Sequence, residues 1–266
     1  MSVYTDQTGR TISIPSPPER IISLVPSQTE LLHSLGLNKE VVGITKFCIH
    51  PKEWFQSKTR IGGTKMLNIE SIHELRPDLI IANKEENVRE QIHDLAEKYD
   101  VWVTDVNDLK DALNMIINIG KLTRKVEAAS VLALKIQTGF DDLKKKIFKE
   151  RRLPAAYFIW KDPYMVAGGD TFINDMMQYC ALENIFSEEK RYPQISFEEI
   201  KEKKCEVILL SSEPYPFSQK HKEEIQRHLP NIKIELVDGE MFTWYGSRLM
   251  KSIDYFQSFE QKLNII

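Results

Sequence analysis

Glycine is scarce in this chain, with 11 among 266 residues, about 4% against the ~7% usual in globular proteins. Loops that cradle phosphates through bare backbone need glycine at several close positions. The sequence holds no GxxxxGK[ST] and no GxGxxG, and it also lacks HExxH, GxSxG and a paired CxxC. Nucleotide hydrolysis, dehydrogenation and the common hydrolase chemistries lose their usual anchors, and no catalytic residue is expected. The cysteines, Cys48, Cys180 and Cys205, are too few and too scattered for a disulfide framework or a four-cysteine zinc site. No apolar run approaches the roughly 18 residues that a membrane span needs. The first thirty residues carry Asp6, Arg10, Glu19, Arg20 and four prolines, so they offer no signal-peptide core. Charge of one sign is lacking too. With 36 basic and 39 acidic residues the net charge is −3, which provides no global field for nucleic acid or an anionic membrane.

What is present is an ordinary globular balance, 42% hydrophobic and 28% charged, on a length that fits one large domain or two modest ones. Short β-branched runs alternate with helical segments. Ile21–Val25 reads as a strand and Thr29–Gly36 as a helix closed by glycine; Val41–Ile44, Pro77–Ala82 and Val101–Val103 read as further strands, with a helix near Ile69–Leu75. The second half repeats the alternation through Ala155–Trp160, a helix over Phe172–Cys180, Val207–Leu210, Ile232–Val237 and a closing helix over Arg248–Leu263. Strands separated by helices imply parallel pairing and an α/β layer architecture. Between the halves, apolar residues at Leu122, Val126, Ala129, Ala133, Ile136, Phe140, Leu143 and Ile147 alternate spacings of four and three. That pattern predicts one amphipathic helix of about 28 residues, roughly 42 Å long, serving as a strut and ended by Pro154. The basic residues Lys144, Lys145, Lys146, Lys149, Arg151 and Arg152 are read as complements to the C-terminus of that helix rather than as a nucleic-acid patch. The expected domains are an N-terminal α/β lobe over residues 1–120, the connecting helix over 121–152 and a C-terminal α/β lobe over 153–266.

An internal repeat supports two lobes. Asn68-Ile69-Glu70-Ser71-Ile72, followed by Pro77-Asp78-Leu79-Ile80-Ile81, matches Ser196-Phe197-Glu198-Glu199-Ile200, followed by Cys205-Glu206-Val207-Ile208-Leu209, at a constant offset of 128 residues. Each copy starts a helix with a polar N-cap and a carboxylate in the first turn, then enters a buried strand. Equivalent loops of two lobes face a shared cleft, where ligands usually bind. Glu70 and Glu198 admit two readings on physical grounds alone: complements to a helix dipole, or acidic knobs that dock on basic pockets of a partner.

The loops at the C-terminal ends of the strands form the edge where open α/β sheets take ligands. They carry Ser27 and Gln28; Phe47, Cys48 and His50; Glu85; Trp160; Ser212, Glu213 and Tyr215; and Trp244 and Tyr245. So many aromatic rings in loops suggest a flat, partly apolar ligand. Cys48 and His50 stand two apart, so in an extended segment they share a face; a thiolate with an imidazole is a soft-to-borderline metal pair, and a packed cysteine beside a hydrogen-bonded histidine is the plainer alternative.

Arg20-Ile21-Ile22-Ser23-Leu24-Val25-Pro26-Ser27-Gln28-Thr29-Glu30-Leu31-Leu32, then Gly36-Leu37, Asn68-Ile69-Glu70 and Leu75-Arg76-Pro77-Asp78-Leu79-Ile80, resembles the substrate-binding proteins of cobalamin, haem and ferric-siderophore ABC transporters, whose two lobes are joined by one long helix. Tyr192-Pro193-Gln194-Ile195-Ser196 and the loop around Phe47 place the resemblance nearest the cobalamin-binding branch. The resemblance implies a non-enzymatic receptor with no catalytic cofactor, a monomer that binds a corrinoid, haem or ferric siderophore between its lobes and hands it to the transmembrane subunits of a permease. It implies a periplasmic or cell-envelope location; the missing leader leaves a cytoplasmic corrinoid- or metal-handling protein, or a metallocofactor-assembly enzyme on the same fold, as the alternative. By the same resemblance Glu70 and Glu198 match two permease-docking carboxylates, and Phe47 and Tyr192 match rings that line the corrin pocket. Thr64 stands where those receptors have a covering tryptophan, and Trp160, Trp244 and Tyr245 offer replacement ring surface. Trp244-Tyr245-Gly246-Ser247-Arg248 looks like a subgroup feature, which brings Arg248 into the expected ligand set.

Overall fold

The computed structural model describes residues 2–147 and 151–263. Lys149, with the 148–150 stretch of the expected connecting helix, and the last three residues of the expected C-terminal lobe lie outside the described residues. The chain divides into two compact units. The first runs through Val106, resumes over Lys110–Lys135 and takes in Tyr245–Arg248; the second comprises Asn107–Leu109, Ile136–Trp244 and the chain from Leu249 onward.

The first unit begins with an antiparallel hairpin of β1 (Ser2–Thr5) and β2 (Thr11–Ile14), which the sequence reading had not placed. There follow β3 (Ile21–Ser23), α1 (Pro26–Ser34), β4 (Val41–Ile44), α2 (Lys52–Ser57), β5 (Thr59–Arg60), α3 (Ile69–Leu75), β6 (Leu79–Asn83), α4 (Arg89–Ala96) and β7 (Val101–Thr104). The strands from β3 to β7 form one parallel sheet in the order β5-β4-β3-β6-β7. Strands β3, β6 and β7 are apolar up to their last residues, Ser23, Asn83 and Thr104, as strands of a parallel sheet covered on both faces are, and every residue of β6 and β7 is buried. Strand order reverses at β3, so the loops after β3 and β6 flank a topological switch point at the C-terminal edge. Asp6 pins the hairpin to this sheet: its Oδ1 accepts from the Thr8 and Arg10 amides, and its Oδ2 accepts from the Val103 amide at 3.1 Å.

The expected strut is the single helix α6 (Val126–Ile147), shorter at its start than expected, because Leu122 ends a separate preceding helix, α5 (Leu109–Leu122). The break has a backbone cause, since Arg124 is left-handed at φ 55°. Gly120 lets the two helices approach, as a Cβ there would stand 2.3 Å from the Ala129 Cβ. The 22 residues of α6 span about 33 Å rather than 42 Å, and they contribute to both units. The four-three spacing holds within it: Ala129, Ala133, Ile136, Phe140, Leu143 and Ile147 are all buried.

The second unit contains β8 (Leu153–Trp160), β9 (Met165–Val166), α7 (Phe172–Gln178), β10 (Leu182–Asn184), α8 (Phe197–Glu202), β11 (Val207–Ser211), α9 (Gln219–His228), β12 (Lys233–Val237), α10 (Gly239–Thr243) and α11 (Leu249–Leu263). Its parallel sheet has the order β10-β8-β11-β12, with β9 antiparallel on β8. The 128-residue repeat has a topological meaning. Helix α3 leads into β6, beside the central β3, and α8 leads into β11, beside β8. The repeated segments therefore hold corresponding places in two sheets built on one plan.

Candidate functional site

In the first unit the loop after β4 is anchored from below. The Cys48 sulfur sits 3.1 Å from both the Thr29 and Thr45 hydroxyls, is fully buried, and has its thiol pKa pushed up by that burial. The sulfur is thus already engaged by two hydroxyls beneath the surface. Cys48 is therefore an internal anchor, and the structure does not support it as half of a soft metal pair with His50, which is half-buried. Among the described residues no group of three histidine, cysteine or acidic side chains converges as a metal site. Turning Cys48 inward turns its neighbours outward, so Phe47 is 51% and Ile49 45% exposed.

A second loop lies alongside. The Lys46 amide donates to the Gly62 carbonyl at 2.8 Å, and residues 62–67 fold back on themselves through Gly63 N to Met66 O, also 2.8 Å. Gly62 requires its freedom, with φ at 91° and room for no Cβ, which would stand 2.4 Å from the Met66 carbonyl oxygen. Gly63 gives floor space, because a Cβ there would meet Phe47 Cε2 at 3.1 Å and Lys46 Cε at 3.3 Å. Met66 at the tip is 81% exposed. The loop is tied down from its other side: Asn87 Nδ2 donates to Thr64 O, Gln91 Nε2 to Lys65 O, and the Leu67 amide to Gln91 Oε1.

Other residues expected to touch a ligand serve the framework. Gln28 is fully buried and gives its amide to the Thr104 hydroxyl, which also accepts from Asn83. Ser27 is buried in the first turn of α1, and Thr64 is buried with its carbonyl held by Asn87. Glu85 stays exposed.

In the second unit, Trp160 at the end of β8 is 41% exposed and packs edge-on against Tyr215 at 5.7 Å between centroids. Tyr215 Oη lies 3.2 Å from His221 Nε2, while His221 Nδ1 accepts from the Ser218 amide at 3.0 Å. An amide can only donate, so Nδ1 is bare and Nε2 carries the proton. Burial first, then Lys220 and Lys161, hold the His221 pKa below its ordinary value. Lys161 is itself paired with Glu224 at 2.5 Å. Glu213 Oε1 takes two donors, Thr243 Oγ1 at 2.6 Å and Trp244 Nε1 at 2.8 Å, and burial raises its pKa. Ser212 is exposed, with its hydroxyl accepting from the Gly239 amide, and Tyr192 is half-buried beneath the Arg191 guanidinium. Trp244 and Tyr245 depart from expectation. Both are buried, so of the three rings expected as replacement surface only Trp160 is displayed. Arg248 is also buried, paired in the first unit with Glu30 at 2.8 Å.

Glu70 and Glu198 are both exposed in first turns whose capping is done by neighbours. Asn68 Oδ1 accepts from the Ser71 amide above α3, and Ser196 forms a capping box with Glu199, whose pKa is lowered by hydrogen bonds from Ser196. Neither Glu70 nor Glu198 carries an ion pair or hydrogen bond among the described residues. A cavity of about 230 Å³ at the opposite edge of the first sheet, lined by Pro77, Asp78, Tyr99 and Asp100, is smaller than the roughly 300 Å³ at which small-molecule sites begin.

These elements match a known architecture. Residues 21–231 fit the family described as periplasmic binding protein. The chain belongs to that family. Periplasmic binding proteins are non-catalytic, in agreement with the missing enzyme motifs. A vitamin B12-binding protein of Vibrio campbellii is 25% identical over 197 residues, 73% of this chain and 71% of that protein. An uncharacterized ABC transporter substrate-binding lipoprotein of Bacillus subtilis is 24% identical over 261 residues, 94% of this chain and 82% of that protein. Among solved structures, a periplasmic heme-binding protein of Roseiflexus sp. RS-1 superposes with a TM-score of 0.77 at 20% identity, covering 91% of this chain and 98% of the other. No helix among the described residues is long and apolar enough to cross a membrane.

Sequence reasoning missed Lys46, Ile49 and Met66 on the displayed surface of this periplasmic binding protein. The signal was available in part: Gly62-Gly63 implies a tight fold-back, and alternation about an inward Cys48 sends Phe47 and Ile49 out.

Proposed function

We propose that this periplasmic binding protein is the receptor of an ABC importer, working outside the cytoplasmic membrane, and that its ligand is a metal chelate of the corrinoid, haem or ferric-siderophore kind. The observation that carries this reading is the display of large rings at the C-terminal edges of parallel sheets, Phe47 in one unit and Trp160 in the other, where α/β sheets take ligands. Exposed aromatic surface costs hydrophobic stabilisation that a flat apolar ligand restores. The names of relatives that bind vitamin B12 and heme support the ligand class. Ser212, Tyr215, Tyr192 and Glu85 are the remaining candidates for contact.

Glu70 and Glu198 are the carboxylates that meet basic residues of the permease. Their support is chemical: helix caps are supplied by Asn68, Ser196 and Glu199, which leaves these two side chains to solvent.

Titration with cyanocobalamin, haemin and ferric siderophores, followed by quenching of tryptophan fluorescence, tests the ligand class; silence towards all of them would sink it. Glu70→Ala with Glu198→Ala is expected to keep ligand affinity and to lower uptake at least tenfold. Uptake at the unmodified level would remove the docking role.

A further inference from the structure

The chemistry of the platform on the first unit narrows the ligand further. Phe47, Ile49 and Met66 give it an apolar surface, and Lys46 and Lys65 give it cations. Lys46 Nζ stands 5.1 Å from the centroid of the Phe47 ring, and Lys65 Nζ is held at 2.6 Å from the Glu85 carbonyl oxygen. Neither lysine forms an ion pair among the described residues, whereas Lys84 on the next loop is matched with Asp105 and Lys161 in the other unit with Glu224. A carbonyl and a ring face orient an ammonium without neutralising it. Residues 45–50 and 61–67 contain no aspartate or glutamate; the acidic side chains beside them, Glu85 and Glu86, are on the loop after β6 that accepts Lys65 through a carbonyl. The hydrogen bonds from Asn87, Gln91 and Gly63 fix the two loops before any ligand arrives, so little ordering entropy remains to be lost on binding.

We infer that this platform selects a chelate with an apolar body and an anionic rim, carboxylate or catecholate, over a neutral or cationic one. The body covers Phe47, Ile49 and Met66, and the rim meets Lys46 and Lys65. The inference rests on the chelate-receptor reading above and specifies the charge that reading leaves open. Electrostatic complementarity of this kind selects partners and is weakened by salt.

The test compares four probes on the full chain: haemin and a ferric triscatecholate, which are anionic, cyanocobalamin, which is neutral, and ferrioxamine B, which is cationic. Binding is measured by fluorescence quenching at about 50 and 500 mM salt, with Lys46→Gln, Lys65→Gln and the double variant, and melting curves verify that the variants fold. One anionic probe is expected to bind most tightly, to weaken with salt, and to lose about tenfold in affinity in the double variant, since an exposed ion pair accounts for up to about fivefold. Tighter binding of cyanocobalamin or ferrioxamine B overturns the charge selection while leaving the receptor reading intact. So does anionic binding that the double variant does not weaken. Silence towards all four overturns the receptor reading, and the charge selection falls with it.

Discussion

Trp244 donates its indole N–H to Glu213 Oε1 at 2.8 Å, and Thr243 Oγ1 reaches the same oxygen at 2.6 Å. The loop after β11 is thereby stitched to the end of α10. A ring that sequence alone offers as ligand surface is instead a structural anchor, because its one polar atom is satisfied inward.

Burial raises the Glu213 pKa above the carboxylate value of 4.5. In the window just above 4.5 the folded state binds more protons than the unfolded state, so this group's contribution is full at lower pH and is lost as pH rises through the raised value. Glu213→Gln, which retains an oxygen acceptor, is expected to gain stability relative to the parent between pH 4.5 and 7. Urea unfolding across that range measures it, and parallel pH profiles would refute it.

His221 behaves with the opposite sign. Its pKa lies below 6.5, and its bare Nδ1 accepts from Ser218. The stability it contributes is present above pH 6.5 and is lost as pH falls through the depressed value. Long-range ¹⁵N–¹H spectra at pH 7 are expected to show Nδ1 unprotonated and Nε2 protonated. His221→Ala removes the half of the α9 capping box that accepts from the Ser218 amide and is expected to cost about 1 kcal/mol.

Arg248 is buried and pairs with Glu30, which is only partly buried and lies 218 residues away in sequence. Removing the carboxylate leaves the guanidinium buried without it, so Glu30→Ala is expected to cost about 3 kcal/mol in chemical denaturation. Replacing both by methionine is expected to cost much less. If the single and double variants lose equal stability, the pair is not the source of the effect.

Cys48, Cys180 and Cys205 are all buried with thiol pKa values raised, that of Cys205 to about 12. Native protein is expected to react with a disulfide reagent at least a hundredfold more slowly than free cysteine, and to yield all three thiols once unfolded. Rapid native labelling of Cys48 would restore it as a candidate ligand.

The fold was legible because its signals are local and periodic. The β-branched run of β6 and the four-three spacing of α6 declare themselves, and the 128-residue repeat exposes the shared plan of the two sheets. The bend between α5 and α6 was not legible, since a left-handed Arg124 has no compositional signature. Site residues divided by direction of the side chain. Phe47 and Trp160 are displayed as expected from their loops, but Gln28, Cys48, Trp244 and Arg248 are taken up by partners distant in sequence, Thr104, Thr29, Glu213 and Glu30, and no spacing rule announces such pairings.

The return of Tyr245–Arg248 to the first unit bears on how the chain is made. Gly246, at φ 115°, lies against the Ser27 carbonyl and Leu31, and Arg248 closes onto Glu30 about one turn into α1, the helix that follows the sheet's central β3. A ribosome that has released the first 135 residues has delivered a unit still missing this piece. The stretch Ile136–Trp244 of the second unit is translated in the interval, so the first unit is begun before it and completed only after it.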